Sequence, residues 1–306
     1  MNLSTGMDTF KDAVIKNFVS VFLGVTINCI NGILVLTFFK FQIFYRNPRY
    51  ILYVNLIIND MIMLSVSVSL QVISYTVFVM NFPLCCLLLL ISMSTNKNTT
   101  LNLAGMAIER YIAICKPLHH AQLCTVHRTY ILLCLMWIVA LIPALSDIFI
   151  LLATRPRAFF SSSICYYSSI FSGQYFDILF PITQALYVSF VSFILIYTYV
   201  RVLYAAKAAN TDKQSAQKAQ KTILLHGVQL LLCILSYFSP IVNSVLSVYF
   251  PNSRTIYLFV TYILTNLLPR LLSPLIYGIR DQTFFKYIKM YLLCRFHIAK
   301  IKPSNT

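Results

Sequence analysis

The segment SMSTNKNTTLN, residues 92–102, lies inside a stretch that is otherwise apolar and long enough to cross a membrane. Isolated polar side chains are costly in hydrocarbon, so a helix with this middle cannot face lipid on every side. The segment therefore predicts a helix that runs through the centre of a bundle or lines a water-filled cavity. Lys97 lies near mid-membrane and needs a partner, which could be Asp147, Asp177, the surrounding amides or an anionic ligand.

The whole chain has the composition of a membrane protein. Of its 306 residues, 59% are hydrophobic and only 10% are charged, whereas soluble domains are about 25% charged. The net charge of +16 does not indicate a nucleic-acid partner, because the basic residues are scattered through short connections between apolar runs. Cysteines at metal-ligand spacing and the common hydrolase or nucleotide-binding motifs are absent from the sequence. We therefore expect no catalytic residues, no metal and no cofactor.

Apolar stretches divide the chain into segments that could each cross a membrane as a helix. The predicted spans are residues 17–39, 51–78, 86–114, 129–153, 175–203, 222–250 and 255–278. The sequence thus predicts an all-α bundle of seven transmembrane helices over residues 17–278, between an N-terminal segment, 1–16, and a tail, 279–306. Residues 281–297 are basic and amphipathic, which favours a helix lying along the membrane surface. Cys294 in that segment is a candidate for palmitoylation, and an unmodified thiol is equally open.

Lysine and arginine are unevenly divided between the two sides of these spans. Of 24 such residues, seventeen fall on the side of the tail and five on the side of the N-terminus, with two inside spans. Because basic residues are retained on the cytoplasmic side, this predicts a multi-pass plasma-membrane protein with its N-terminus outside. Asn2 begins an Asn-Leu-Ser sequon on that outer side and is a predicted glycosylation site.

Two further features of the spans suggest pairing. Cys165 shares the oxidising outer side with Cys85 and Cys86, so we expect a disulfide between Cys165 and one of the two. Asp60 in the second span and Arg270 in the seventh are the natural buried ion pair, because an unpaired charge of either sign would cost more. Whether that pair is a structural brace or a switch is open.

The segment MAIERYIAICKPLHH, residues 106–120, places an acid and a base side by side at the inner end of the third span. With seven spans and an outer N-terminus, it resembles rhodopsin-like G-protein-coupled receptors, and more narrowly the fish-type odorant receptors, whose signature is MA-x-[DE]-RY-x-AIC-x-PL. Residues 218–226 and 268–280 resemble the patterns of that family in spans six and seven. Ser273 and Arg270 depart from it, since the family has Asn and Pro there.

The resemblance implies an odorant receptor. A small odorant would bind among spans 3, 5, 6 and 7, and a stimulatory heterotrimeric G protein would dock between the inner ends of the helices and raise cyclic AMP. Polar groups at suitable depth make Ser92, Asn96, Lys97, Tyr237 and Asn266 the candidate ligand contacts. The alternatives are a non-olfactory receptor of the same class for a small or anionic ligand and, more remotely, a transporter or channel.

The same resemblance implies a switch at the inner end. Glu109 would hold Arg110 in the resting state, and on activation Arg110 would turn toward Tyr197 or Tyr199 and the G protein. The other candidate members of the switch are Tyr111, His226 and Tyr277. His226 could act as a pH-sensitive latch or be an ordinary hydrogen-bonded histidine.

Overall fold

The structure, a computed structural model, describes residues 10–77, 79–163, 165, 170–171, 173–208, 231, 234–239, 242–243, 245–274 and 283–291. The described chain is almost entirely helical. Its long helices are α1 (Phe10–Lys40), α2 (Pro48–Thr76), α3 (Phe82–Cys115), α4 (Val126–Thr154), α5 (Gln174–Ala208) and α7 (Arg254–Pro274). We refer to the helical residues 234–239, 242–243 and 245–249 as α6. A short loop helix, Pro117–Leu123, follows α3, and a tail helix covers residues 283–291.

Within the described residues, five helices are long and apolar enough to cross a membrane. They are α1, α2, α4, the Pro181–Val202 part of α5, and α7. Their outward faces carry large apolar side chains; Phe18, Phe22, Phe190 and Phe193, for example, are all more than half exposed. Soluble proteins rarely expose such continuous apolar surface, so these faces fit a hydrocarbon environment.

Capping residues extend the helices beyond the apolar stretches that predicted them. Asn47 accepts a hydrogen bond from the Arg49 backbone N–H at 3.1 Å, and Pro48 occupies the start of α2. Thr125 caps α4 in the same way, accepting from Arg128 N–H at 3.3 Å. The helices therefore begin at Pro48 and Val126, before the predicted spans 51–78 and 129–153, because hydropathy does not register polar helix ends.

The third helix occupies the middle of the described structure. It packs against α2, α4 and α5, while α2 also packs against α1, α4 and α7. The polar middle of α3 is buried almost without interruption, from Ser94 to Asn102. Its central position supplies neighbours on several sides, which is what a helix with such a polar middle requires.

A short strand pair and a disulfide hold the loop after α4 against the N-terminal end of α3. Strand β1 (Met80–Asn81) pairs antiparallel with β2 (Ser162–Ser163), in the register Met80 to Ser163. Cys85 is joined to Cys165 with a Cα–Cα distance of 5.6 Å, whereas Cys86 is a buried free thiol. The structure thus decides between the two adjacent cysteines, and the disulfide ties the loop after α4 to the N-terminal end of α3.

Aromatic packing fixes the tail helix against the turn between α1 and α2. The Phe44 ring lies 4.9 Å from the Phe284 ring and 5.3 Å from the Tyr287 ring, and both Phe44 and Phe284 are buried. Lys40 Nζ lies 5.0 Å from the centre of the Tyr291 ring. The tail helix is therefore packed on the C-terminal end of α1 and the N-terminal end of α2.

Candidate ligand and coupling sites

Amide groups connect α2 to α3 in the centre of the molecule. Asn59 Nδ2 donates to the Thr95 carbonyl at 2.9 Å and to Thr99 Oγ1 at 2.7 Å, and Asn98 Nδ2 donates to Asn59 Oδ1 at 3.1 Å. All four residues are buried. In a helix, residues three and four apart share a face, so the spacing of Thr95, Asn98 and Thr99 presents them together to α2.

The predicted pair of Asp60 and Arg270 meets beside these amides. Arg270 Nε lies 4.0 Å from Asp60 Oδ1, and both side chains are 1% exposed. The carboxylate also accepts hydrogen bonds from Ser273 Oγ at 2.6 Å and from Thr99 Oγ1 at 3.3 Å. The buried carboxylate therefore has donors from both α3 and α7, as a charge removed from water requires.

The guanidinium of Arg270 has two further hydrogen bonds. Its Nη1 donates to the Thr265 carbonyl at 2.7 Å and its Nη2 donates to Asn96 Oδ1 at 3.2 Å. Pro269 stands four residues after Thr265 and has no N–H, so the regular helical donor to that carbonyl is missing. The helix is a π turn over Ile263–Leu267, and Arg270 supplies the missing donor. One side chain thus links α7 to α2 and α3.

Lys97 is buried in α3 with an electrostatic rather than a direct partner. Its side chain is 4% exposed, and its charge interacts with that of Asp147 in α4. Within the described residues, Lys97 forms no ion pair within 4.0 Å and its ammonium group donates no hydrogen bond. Of the predicted partners, Asp147 faces it, and the side chain of Asp177 lies outside the described structure.

Tyrosines from α5 and α6 contact α3 around this lysine. The Tyr187 hydroxyl donates to the Lys97 carbonyl. The Tyr237 hydroxyl lies 2.8 Å from Thr100 Oγ1, and its ring centre is 6.1 Å from that of Tyr187. Three predicted ligand contacts, Asn96, Lys97 and Tyr237, therefore gather where α3, α5 and α6 meet.

The two remaining predicted ligand contacts lie apart from this group. Ser92 Oγ donates to Met63 Sδ at 3.7 Å, so it faces α2. Asn266 Nδ2 donates to Thr265 Oγ1 at 3.1 Å within the π turn of α7. Neither has a contact with Lys97 among the described hydrogen bonds.

At the C-terminal end of α3, Glu109 contacts two basic side chains. Its Oε2 lies 3.6 Å from Arg110 Nε, and its Oε1 lies 3.1 Å from His120 Nε2. Glu109 is 7% exposed. His120 comes from the loop helix, which Pro117 begins directly after α3 ends. Burial and then the negative charge of Glu109 raise the pKa of the Cys124 thiol, which follows the loop helix.

The neighbouring Tyr111 faces α5. Its ring centre lies 6.2 Å from that of Tyr197, and its hydroxyl interacts with the Arg201 side chain. Tyr199 is on α5 as well and is 38% exposed. The predicted switch residues His226 and Tyr277 lie outside the described residues, as do Asn2 and Cys294.

The family of the chain follows from its match to known proteins. Residues 30–277 match the family described as 7 transmembrane receptor (rhodopsin family). The chain belongs to this family of receptors. It is 30% identical to Odorant receptor 131-2 of Danio rerio over 296 residues, which is 90% of this chain and 86% of that protein. It is also 25% identical to Olfactory receptor 4K2 of Homo sapiens over 251 residues, 78% of this chain and 76% of that one.

The rhodopsin-family assignment confirms the resemblance seen in the sequence. The chain is a multi-pass membrane receptor and not an enzyme. It carries one disulfide within the described residues.

Sequence reasoning missed several side chains of this receptor that form the sites. Thr100 lies on α3 near Lys97 and contacts the Tyr237 hydroxyl, and the Tyr187 hydroxyl donates to the Lys97 carbonyl. His120 contacts Glu109. Thr100 lies in the polar segment and was detectable there. Tyr187 stands in an ordinary apolar run, and His120 lies beyond the end of α3, so neither carries a local signal of its contact.

Proposed function

We propose that this receptor is an odorant receptor with seven transmembrane helices, an extracellular N-terminus and a cytoplasmic tail in the plasma membrane. It binds a small odorant among α3, α5, α6 and α7. It then activates a stimulatory heterotrimeric G protein and raises cyclic AMP in olfactory neurons. Similarity to an odorant receptor and to an olfactory receptor supports the proposal.

The single observation that carries the mechanism is the continuity of α3. Its middle carries Lys97 and Asn96, which contact or face α4, α5, α6 and α7, and its inner end carries Glu109 and Arg110. A ligand that alters how the surrounding helices pack on the middle of α3 therefore acts on the helix that holds the charge pair. To activate the receptor, that ligand must bind the active arrangement more tightly than the resting one.

An agonist screen in cells that report cyclic AMP tests the proposal. We expect an odorant to raise cyclic AMP through the receptor and Arg110→Ala to abolish the response while the protein still reaches the surface. Arg46→Ala is the matched control, because Arg46 is a basic residue of the loop after α1 and should respond as the wild type does. Ion flux that odorants drive without any G protein would replace the proposal with a channel or transporter.

The burial of Lys97 favours an anionic ligand, in an olfactory setting or in another receptor role. Its ammonium group interacts with the charge of Asp147 but forms no hydrogen bond with it. A ligand carboxylate that reaches the ammonium group would therefore gain a charge-assisted hydrogen bond worth about 1.5–3 kcal/mol. Lys97→Met should then raise the half-maximal concentration of an acidic agonist by about 10- to 100-fold. A neutral agonist of the same receptor serves as control, and an unchanged response to the acid would refute the idea.

Two modifications belong to the same proposal. We infer that Asn2 is glycosylated on the outer side and that Cys294 is a palmitoylation site beside the tail helix. Loss of the glycan from an Asn2→Gln variant, and loss of acyl labelling from Cys294→Ser, are the expected results. A glycan that persists in Asn2→Gln would place the modification elsewhere.

A further inference from the structure

The Glu109 carboxylate is shared unequally between two basic side chains. Its contact with His120 Nε2, at 3.1 Å, has hydrogen-bond length. Its contact with Arg110 Nε, at 3.6 Å, is longer than a hydrogen bond. The adjacent arginine is therefore the more weakly held of the two partners.

Arg110 retains an unused donor in this arrangement. Its Nη2 is buried and has no hydrogen-bond partner among the described residues. A carboxylate and a guanidinium prefer two parallel hydrogen bonds, through both nitrogens of one edge of the fork. The pair would reach that geometry if Glu109 turned toward Arg110, and the contact with His120 opposes that turn.

We propose that His120 competes with Arg110 for the Glu109 carboxylate and thereby sets how firmly Arg110 is held in the resting receptor. This inference rests on the proposed coupling to a G protein, in which Arg110 must be released. His120 is a positioning residue, since it acts on Arg110 only through Glu109. The loop helix is thereby connected to the switch at the end of α3.

The charge of His120 decides the strength of the competition. Neutral His120 offers Glu109 one hydrogen bond, and protonated His120 adds the attraction of a full positive charge. In the part of the chain that the structure describes, the other charged or titratable groups that act on this carboxylate are Arg110 in α3, Arg49 at the start of α2 and Cys124 after the loop helix. The arginines stay charged at all relevant pH values. Lower cytoplasmic pH therefore loosens Arg110 and raises activity without ligand.

Nucleotide exchange on a purified stimulatory G protein tests this with the full-length receptor in lipid nanodiscs and no odorant. We expect exchange by the wild type to rise as pH falls from about 8 to about 6. His120→Leu should lower the rate of nucleotide exchange by about three- to tenfold. This variant should also lose the receptor-dependent rise in exchange with falling pH. His120→Gln keeps a neutral donor and should match the wild type at high pH but lack the rise.

His119→Leu is the matched control on the same loop helix. His119 is exposed and forms no described side-chain contact with Glu109, so this variant should keep the pH response of the wild type. A pH response that persists in both His120 variants, or that disappears in His119→Leu, would overturn the inference.

A double-mutant cycle gives a readout that needs no G protein. The loss in thermal midpoint caused by Arg110→Ala is measured in the wild type and in the His120→Leu background. Because Arg110 would be held more firmly without His120, the loss should be larger in the second background. Equal losses would contradict the competition, and a larger loss without any nucleotide exchange would uphold it while refuting coupling to the G protein.

Discussion

Two pairs of acid and arginine lie on this receptor's central helices, and they are built differently. Asp60 and Arg270 lie in the middle of the bundle, are each 1% exposed, and are enclosed by hydrogen bonds from α3 and α7. Glu109 and Arg110, the inner pair, lie at the end of α3 that we propose is cytoplasmic, where the arginine is 24% exposed and the acid is shared with His120. Both are ion pairs by charge, and among the described residues only the acid of the first accepts hydrogen bonds from two other long helices.

This difference separates a structural role from a switching role. A buried pair with several additional partners is costly to rearrange, because each partner would be left unpaired in a dry environment. Among the described residues, Glu109 has one side-chain hydrogen bond, to His120, and Arg110 is 24% exposed, so a change of partner leaves fewer buried groups unpaired there. We therefore infer that the central pair, with its additional hydrogen bonds, acts as a brace, and that the inner pair, with fewer, acts as a switch.

The largest expected effect comes from breaking the central pair. Arg270→Met leaves Asp60 buried without its counter-charge and should cost about 3–5 kcal/mol of folding stability. We expect a strongly lowered thermal midpoint and little surface expression. In the double variant Asp60→Asn with Arg270→Met, no charge remains buried at this position, and much of the loss should be recovered. A single variant as stable as the wild type would contradict the role of this pair as a brace.

The next largest loss of stability should come from breaking the disulfide between Cys85 and Cys165. Cys85→Ser opens the bond to Cys165 and should cost about 2–4 kcal/mol, because the released loop gains entropy in the unfolded state. Cys86→Ser is the matched control, since that neighbour is a free buried thiol. Surface expression and thermal midpoint should fall for Cys85→Ser far more than for Cys86→Ser. Equal effects would mean that burial, rather than the bond, matters at both positions.

The hydrogen bonds of the Asn59 amide to α3 should contribute less to stability than the central pair does. Asn59→Leu removes its donors to Thr95 and Thr99 and leaves Asn98 Nδ2 without its acceptor. The expected cost is about 1–3 kcal/mol, as for other buried groups left unsatisfied. Asn28→Leu is the comparison, because Asn28 donates to Ser65 at an exposed position. A larger loss for Asn28→Leu than for Asn59→Leu would refute the assignment.

The smallest effect on stability and the clearest effect on signalling should come from the inner pair. Glu109→Gln removes the charge that attracts Arg110 but keeps a side chain of the same shape that still accepts a hydrogen bond, so it should cost less stability than the preceding changes. Cyclic AMP without ligand should rise severalfold, because Arg110 is no longer held. If this variant is as silent as the wild type and markedly less stable, the inner pair is a brace as well.

The sequence predicted the contact between Asp60 and Arg270 but not the contact between Glu109 and His120. Asp60 and Arg270 could be paired from the sequence because a charge within hydrocarbon requires a counter-charge, and these two stood in different spans. The same reasoning left Lys97 with several possible partners, because Asp147 and Asp177 satisfied it equally well. The choice between Cys85 and Cys86 depends on which face of α3 each occupies at the helix start, which composition does not determine.

The contact between Glu109 and His120 was beyond sequence reasoning for a different reason. It depends on how sharply the chain turns after Lys116, where Pro117 starts a new helix in a new direction. The acid and the histidine are eleven residues apart and in separate helices. Helical periodicity gives their positions within each helix but not the angle between the two.

The π turn in α7 bears on how this receptor is compared with its relatives. A helix that makes one π turn contains one residue more than a regular α-helix of equal shape. Numbering by position along α7 is therefore shifted across Ile263–Leu267, and an ungapped alignment assigns Arg270 to the wrong neighbour in any relative whose helix is regular. Deleting one residue in this turn would rotate the outer half of α7 by about 100° relative to the inner half. Gain or loss of a single codon here is thus a direct route by which evolution could redirect the outer face of the helix while Arg270 and Ser273 keep their places beside Asp60.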